Sequence, residues 1–175
     1  MIARSLFVES KKLRVFDFDD TLVKTDSHIY ITKPNGNKVK LTPGQYAKYT
    51  PKPDDKFDFS DFQAVKNPTI IKAYFKVLQN MAAKGTVYIL TARASYKPIY
   101  NFIKDSGMKN VYVVALADGN PERKADWIED KVRNEKYDDV FFIDDSDKNV
   151  AAVRNRLRPY KHIKQKLQVA KSNSI

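Results

Sequence analysis

No cysteine occurs in the 175 residues. This excludes disulfides and thiolate metal ligands, and leaves any metal site to carboxylates, carbonyl oxygens and the two histidines. Hard cations such as Mg²⁺ are the natural candidates for such donors. Glycine and proline are also scarce, at 5 and 8 residues, and no low-complexity tract or repeat is visible, so disordered and fibrous classes are excluded. No uninterrupted apolar run approaches the length that spans a bilayer, and Met1 to Lys12 is too polar for a signal peptide. The expectation is a soluble cytoplasmic protein with no membrane partner. Acidic residues vanish after Asp147, where Lys148, Arg154, Arg156, Arg158, Lys161, Lys164, Lys166 and Lys171 leave a uniformly basic tail. Such a stretch attracts polyanions by counterion release, which makes nucleic acid a candidate partner; a solvated helix face without a ligand is the alternative.

What the chain does contain is 42% apolar residues, enough for one core in a single domain spanning 1–175. Four short apolar runs recur: Leu13 to Phe18, Thr86 to Leu90, Val111 to Leu116 and Val140 to Ile143. They read as strands buried on both faces. Between them lie helical patterns. Ile71, Tyr74, Phe75, Leu78 and Met81 line one face after the start signal Asn67-Pro68-Thr69 and before the stop signal Lys84-Gly85. Further helices are expected over Ser95 to Ser106, Pro121 to Arg133 and Asp147 to Leu157. Strands alternating with helices indicate an α/β fold, a doubly wound, three-layer, Rossmann-like parallel sheet with ligands at the carboxyl ends of its strands.

Residues 24–66 break the alternation. Two runs, His28 to Thr32 and Lys38 to Thr42, flank Pro34-Asn35-Gly36-Asn37 and predict a β-hairpin. A short helix or loop around Gln45 to Tyr49 and a linker from Thr50 to Asp58 follow. At about forty residues this is a small cap or flap inserted after the first strand rather than a second domain.

The first strand runs straight into Asp17-Phe18-Asp19-Asp20-Thr21, and strand alternation puts Asp17 and Asp19 on one side. Two carboxylates in one site are costly unless a cation neutralises them or one keeps a proton. The second strand ends in Leu90-Thr91-Ala92-Arg93, Lys124 stands near the start of a helix, and the last apolar strand ends in Asp144-Asp145-Ser146. For a phosphate dianion these are a nucleophile, a hydrogen-bond donor, a charge clamp and a metal ligand. Taken singly, each cluster is equally an N-cap, since Asp19 to Thr21 and Asp144 to Asp147 both precede helical segments.

With DFDDT at Asp17 to Thr21, LTAR at Leu90 to Arg93, Lys124 and FFIDDS at Phe141 to Ser146 in that order, the chain resembles the haloacid-dehalogenase-like phosphatases over about residues 13–157. The resemblance implies an HAD-like fold and a Mg²⁺-dependent phosphomonoester hydrolase that forms an aspartyl phosphate. Asp17 would be the nucleophile, Asp19 the general acid and base, and Thr91, Ala92, Arg93 and Lys124 the phosphate-binding residues. Mg²⁺ would be held by the Asp17 carboxylate, the Asp19 carbonyl and Asp145, with Asp144 acting through water or by orienting Lys124. Asn149 stands where some members of the family carry another acid, which removes one negative charge. Arg93 is open to two roles, contact with the phosphate or pairing with a surface acid. His28 and His162 lack partners at ligand spacing, Trp127 is expected in the core, and Tyr30, Tyr46 and Tyr49 either stack on a base or sugar or pack the insertion.

The short insertion predicts a rather open site. Together with the basic tail this favours a nucleotide or a nucleic-acid terminal phosphate as substrate, and the layout is similar to the 3′-phosphatase part of phage-type polynucleotide kinases, without their kinase P-loop. The alternatives are a small-metabolite phosphatase with the insertion as lid, and a catalytically silent fold that binds nucleic acid through its tail.

Overall fold

Strand β1 (Lys12–Phe16) turns Leu13 and Val15 to one face of a sheet and Phe16 to the other, all of them fully buried. The same split recurs in β7 (Val87–Thr91), where Val87 and Ile89 oppose Tyr88 and Leu90, and in β9 (Asp139–Asp144), where Val140 and Phe142 oppose Phe141 and Ile143. A strand whose residues are apolar on both sides needs cover on both sides. The computed structural model describes residues 9–171; the outer ends of the 1–175 unit, including the first eight residues of the stretch read above as too polar for a signal peptide, lie outside the described residues.

Cover comes from four helices in two layers. Helix α2 (Lys72–Ala82) contributes Phe75 and Leu78, and α3 (Lys97–Asp105) contributes Ile99 and Ile103, to the core that holds Phe16 and Ile89. On the opposite face α4 (Pro121–Glu135) supplies Ala125, Ile128 and Val132, and α5 (Asp147–Leu157) supplies Val150, Val153 and Leu157, against Leu13, Val15 and Phe142. Each fully buried side chain of this size contributes about 1.5–3 kcal/mol relative to exposure. With β8 (Val111–Ala115) and β10 (Lys164–Val169), the strands form a five-stranded parallel sheet in the order β10-β9-β1-β7-β8. Strand order reverses at β1, so this is a doubly wound, Rossmann-like α/β arrangement, and its carboxyl rim next to β1 is the place where such sheets bind ligands.

Strand β10 was not anticipated. Its residues, Lys-Gln-Lys-Leu-Gln-Val, are exposed in the first half and half-buried in the second and lie at the sheet edge, so they carry no apolar run to mark them; exposed lysines suit an edge strand, which must discourage further pairing.

The insertion hangs from a two-strand base, β2 (Val23–Lys24) against β6 (Thr69–Ile70). Its body is a three-stranded antiparallel sheet in which β3 (Ile29–Thr32) lies between β4 (Lys38–Leu41) and β5 (Lys56–Asp58). The expected hairpin is present, with Gly36 at φ +84° closing a turn in which its amide donates to Lys33. Strand β5 corrects the expected linker, because Phe57 inside that Pro- and Asp-rich stretch pairs with Ile31. Thr42 caps α1 (Pro43–Ala47) through a reciprocal pair of bonds with Gln45. Tyr46, Tyr49, Phe57 and Phe59 pack as a ring cluster with centroids 5.5–6.4 Å apart, so two of the three tyrosines pack, half-buried, within the insertion itself. Tyr30 instead donates its hydroxyl to Asp61 at 3.2 Å.

Candidate active site

Beyond Phe16 the chain keeps its register for one more residue: the Asp17 amide donates to the Ile143 carbonyl at 2.9 Å, which sets Asp17 level with Asp144 at the end of β9. The backbone then folds on itself. The Phe18 carbonyl accepts from the amides of Thr21, Leu22 and Val23, and Asp20 takes a left-handed conformation (φ 61°) that aspartate adopts more readily than most residues. This tight loop returns the buried Thr21 hydroxyl to within 3.0 Å of Asp17 Oδ2 and 3.2 Å of Asp145 Oδ1, while the Asp145 amide donates to it at 3.0 Å. A single hydroxyl proton serves one of those carboxylates at a time.

Lys124, only 3% exposed, enters from the first turns of α4. Its Nζ donates to Asp17 Oδ1 at 2.8 Å and to Asp144 Oδ2 at 2.7 Å. Asp144 is saturated further, by the Ser146 amide at Oδ1 (2.9 Å) and by Asn149 Nδ2 at Oδ2 (3.0 Å). Asn149 is therefore an orienting amide for Asp144. Asp145 is less buried than Asp144. Carboxylate oxygens of Asp17, Asp144 and Asp145 lie within 4.8 Å of one another.

Three carboxylates against one ammonium leave a surplus of negative charge where water has little access, and the titration of the groups reflects it. Burial, then Asp144, pushes the Asp17 carboxyl well above the usual range, and Lys124 offsets this only in part. Burial and Asp144 raise Asp145 as well. Asp20 is pushed up to about 6 by burial, then by Asp145 and Asp19. Burial works against the charge on Lys124, but Asp144 and Asp17 outweigh it and hold the ammonium above its ordinary value. A donor set of crowded, hard carboxylate oxygens fits a divalent cation of the Mg²⁺ type; Asp144 is the most heavily engaged, accepting from Lys124, Ser146 and Asn149, while Asp17 accepts from Lys124 and Thr21.

Arg93, left between two roles by the sequence, pairs with an acid. That acid is Asp19. Arg93 Nε and Nη2 donate to the two oxygens of Asp19 at 2.9 and 2.7 Å, and Nη1 donates to the carbonyls of Phe62 (3.1 Å) and Ala64 (2.9 Å) at the return end of the insertion. The guanidinium also lies over the rings of Phe18 and Phe62, 5.6 and 5.0 Å from their centroids. At 5% exposure, Arg93 has committed its donors to holding Asp19 and the insertion rather than standing open to a phosphate. Thr91 is buried and its Oγ1 accepts from the Arg93 amide at 3.1 Å, which leaves the hydroxyl proton available to donate; Ala92 is exposed at the turn between them.

The insertion closes part of the rim. A side chain placed on Gly119, in the loop before α4, would stand 3.8 Å from the Tyr46 ring. Beside Asp20 and Asp145 a polar cavity of about 620 Å³ opens, lined also by Lys24, His28, Thr42 and Asn67. The arginines of the basic tail lie elsewhere. Helix α5 starts at the rim and runs back for about 16 Å, and β10 re-enters the sheet with Lys164 beside Asp139, the first residue of β9. Arg154, Arg156 and Arg158 thus stand toward the amino ends of the strands, and Arg156 is engaged with Glu122, Asp126 and Glu129 of α4.

Asp17, Lys124, Asp144 and Asp145 are brought together directly, Asp19 and Arg93 pair beside them, and Thr91 ends the neighbouring strand. Thr21 was within a recognised motif but had no assigned role; the carbonyls of Phe62 and Ala64 carried no signal in side-chain chemistry at all. No helix among the described residues is long and apolar enough to cross a membrane. Comparison with models of known protein families, with curated proteins and with solved structures finds no match for this chain.

Proposed function

We propose that the protein is a Mg²⁺-dependent phosphomonoester hydrolase of the HAD-like type, acting through an aspartyl phosphate at Asp17 on a nucleotide or a nucleic-acid terminal phosphate. The observation that carries this reading is a buried carboxylate at the end of the central strand, bonded through one oxygen to Lys124 and through the other to Thr21, within a cluster that has more negative charge than the protein neutralises. Such a carboxylate is held in one orientation and kept from water, as a nucleophile toward phosphorus requires.

In the first transfer an Asp17 oxygen bonds to phosphorus as the bond to the leaving oxygen breaks, and Asp19, entering the step in its acid form, gives that oxygen its proton. In the second, Asp19 takes a proton from water as the water oxygen bonds to phosphorus, releasing phosphate and restoring Asp17. Both oxygens of Asp19 are bonded to Arg93, so the pair must loosen at one oxygen for the proton to pass, and Arg93 returns the carboxylate to place. Thr91 and Lys124 hold the phosphoryl oxygens. Bound Mg²⁺, held by Asp17, Asp145 and the Asp19 carbonyl, would supply neutralising charge to the attacking and phosphoryl oxygens.

The cavity beside Asp20 and Asp145 favours a second reading, a small-metabolite phosphatase in which Lys24, His28 and Asn67 contact the alcohol portion. Phosphate release from an aryl phosphate, from nucleoside monophosphates, from sugar phosphates and from 3′- or 5′-phosphorylated oligonucleotides, with Mg²⁺ and with EDTA, tests both. Release that requires Mg²⁺ is the expected result, with the preferred substrate deciding between the readings; no release from any of them at any Mg²⁺ concentration overturns the proposal.

A further inference from the structure

If the substrate phosphate is the end of a nucleic acid, the rest of the strand needs a surface leading away from the rim, and the tail arginines stand at the opposite end of the sheet. Helix α3 begins beside the site instead. It starts after the turn that follows Thr91, and Tyr96 is five residues from that hydroxyl, a span of at most about 17 Å. Tyr96 and Tyr100, 47% and 44% exposed, lie one helical turn apart on the same side, their centroids 6.3 Å apart and their planes at 71°. Two other rings among the described residues are as open, Phe59 in the insertion and Tyr112 on β8, but Tyr96 and Tyr100 are the exposed pair that stand in contact with each other at the start of α3. Lys97, also exposed, follows Tyr96 in the chain, and exposed Lys104 continues the line of Tyr96 and Tyr100 by one more turn. Asp105 is the acid within the helix, at the end remote from the rim.

We infer that Tyr96 and Tyr100, with Lys97 and Lys104, form a stacking platform for the single-stranded nucleotides that precede the terminal phosphate; this rests on the phosphatase reading for its orientation. Exposed rings flanked by cations are complementary to a strand that presents base faces and phosphates together, and in a duplex those faces are already stacked on one another. The edge-to-face arrangement of the two rings leaves outer faces open to bases. Because the rings are exposed, their loss leaves the core of α3, Ile99 and Ile103, untouched.

The test uses the full chain and a single-stranded DNA of about eight nucleotides carrying a 3′-phosphate, alongside the same strand in a duplex. Binding is read by fluorescence anisotropy in the Asp17→Asn background and turnover in the wild-type background. Replacing Tyr96 and Tyr100 together by alanine should weaken single-strand binding at least about fivefold and raise KM for the oligonucleotide in proportion. Hydrolysis of an aryl phosphate should be unchanged, and phenylalanine at both positions should retain most of the binding. Replacing Lys97 and Lys104 by glutamine should flatten the salt dependence of binding. Unchanged oligonucleotide binding in the alanine variant, or equal affinity for the duplex, overturns the platform. Binding that depends on the rings in a protein that releases no phosphate would keep the platform and remove the phosphatase reading instead.

Discussion

Two clusters among the described residues gather three carboxylates around a central cation. At the rim Lys124 faces Asp17 and Asp144, with Asp145 within 4.8 Å of both. Between α4 and α5, Arg156 faces Glu122, Asp126 (2.5 Å) and Glu129 (3.1 Å), and Arg123 adds a second cation at Asp126 (3.1 Å). Both clusters carry more acid than base, and the consequences are opposite. Asp17 and Lys124 are buried, so lost hydration, and then unscreened repulsion from Asp144, drives Asp17 up. The Arg156 side chain is 30% exposed, its acids are at the surface, and the hydrogen bond from Arg156 draws Asp126 below its usual range. Water screens the outer cluster into a clamp between helices; its absence turns the inner one into a site that demands a further cation.

The largest effect expected from disturbing the inner cluster is on chemistry. Asp17→Asn should lower Mg²⁺-dependent phosphate release from an aryl phosphate by about three orders of magnitude or more. The melting temperature of the metal-free protein should stay level or rise, because one of three crowded carboxylates has been neutralised. Activity near wild type in that variant would remove Asp17 as the nucleophile.

Next in size is the contrast between the two cations. Lys124→Met leaves Asp17 and Asp144 buried without their ammonium, and urea denaturation at neutral pH should register a loss of about 3 kcal/mol or more. Arg156→Gln should cost distinctly less, and the difference from wild type should shrink in 1 M salt, on the order of a 3 Å screening length. Equal losses at the two positions would break the comparison.

The smallest effect is a pH trend. Asp17, Asp20 and Asp145 have raised values in the folded protein, so between about 4, the unfolded value of aspartate, and about 6, the folded value of Asp20, the native state binds more protons than the unfolded state. Without metal, the stability contributed by Asp20 is therefore full below about pH 4 and is lost as pH rises through about 6, and Asp17 and Asp145 act in the same direction. Thermal melts in EDTA should fall over that range, Asp20→Asn should flatten the fall, and Mg²⁺ at neutral pH should raise the melting temperature with its concentration. Because Asp55, Asp58, Asp61 and Asp126 are lowered and act in the opposite direction, the decisive reading is the difference between the two proteins: an Asp20→Asn profile identical to wild type from about pH 4 to about 6 would contradict the crowding of these acids.

Much of this was legible in the linear chain. Apolar runs and three- and four-residue spacing marked the four central strands and the four flanking helices, because each burial pattern is written within a few adjacent residues. The acids at the ends of β1 and β9 stood out because charge terminates an apolar strand there. Strand β10 escaped, since an exposed edge strand needs no apolar alternation, and β5 was hidden among prolines and aspartates.

The sequence by itself thus determined the α/β layering and the residue types available at the rim, both of which follow from local periodicity and from the chemistry of single side chains. Only tertiary structure decided which charges meet. It gave Asp19 to Arg93, tied that arginine to the carbonyls of Phe62 and Ala64, engaged Arg156 with α4 and carried the tail arginines to the far end of the sheet. The reason is that pairing depends on where a helix or an insertion returns in space, and burial then decides whether the same charges balance or leave a deficit.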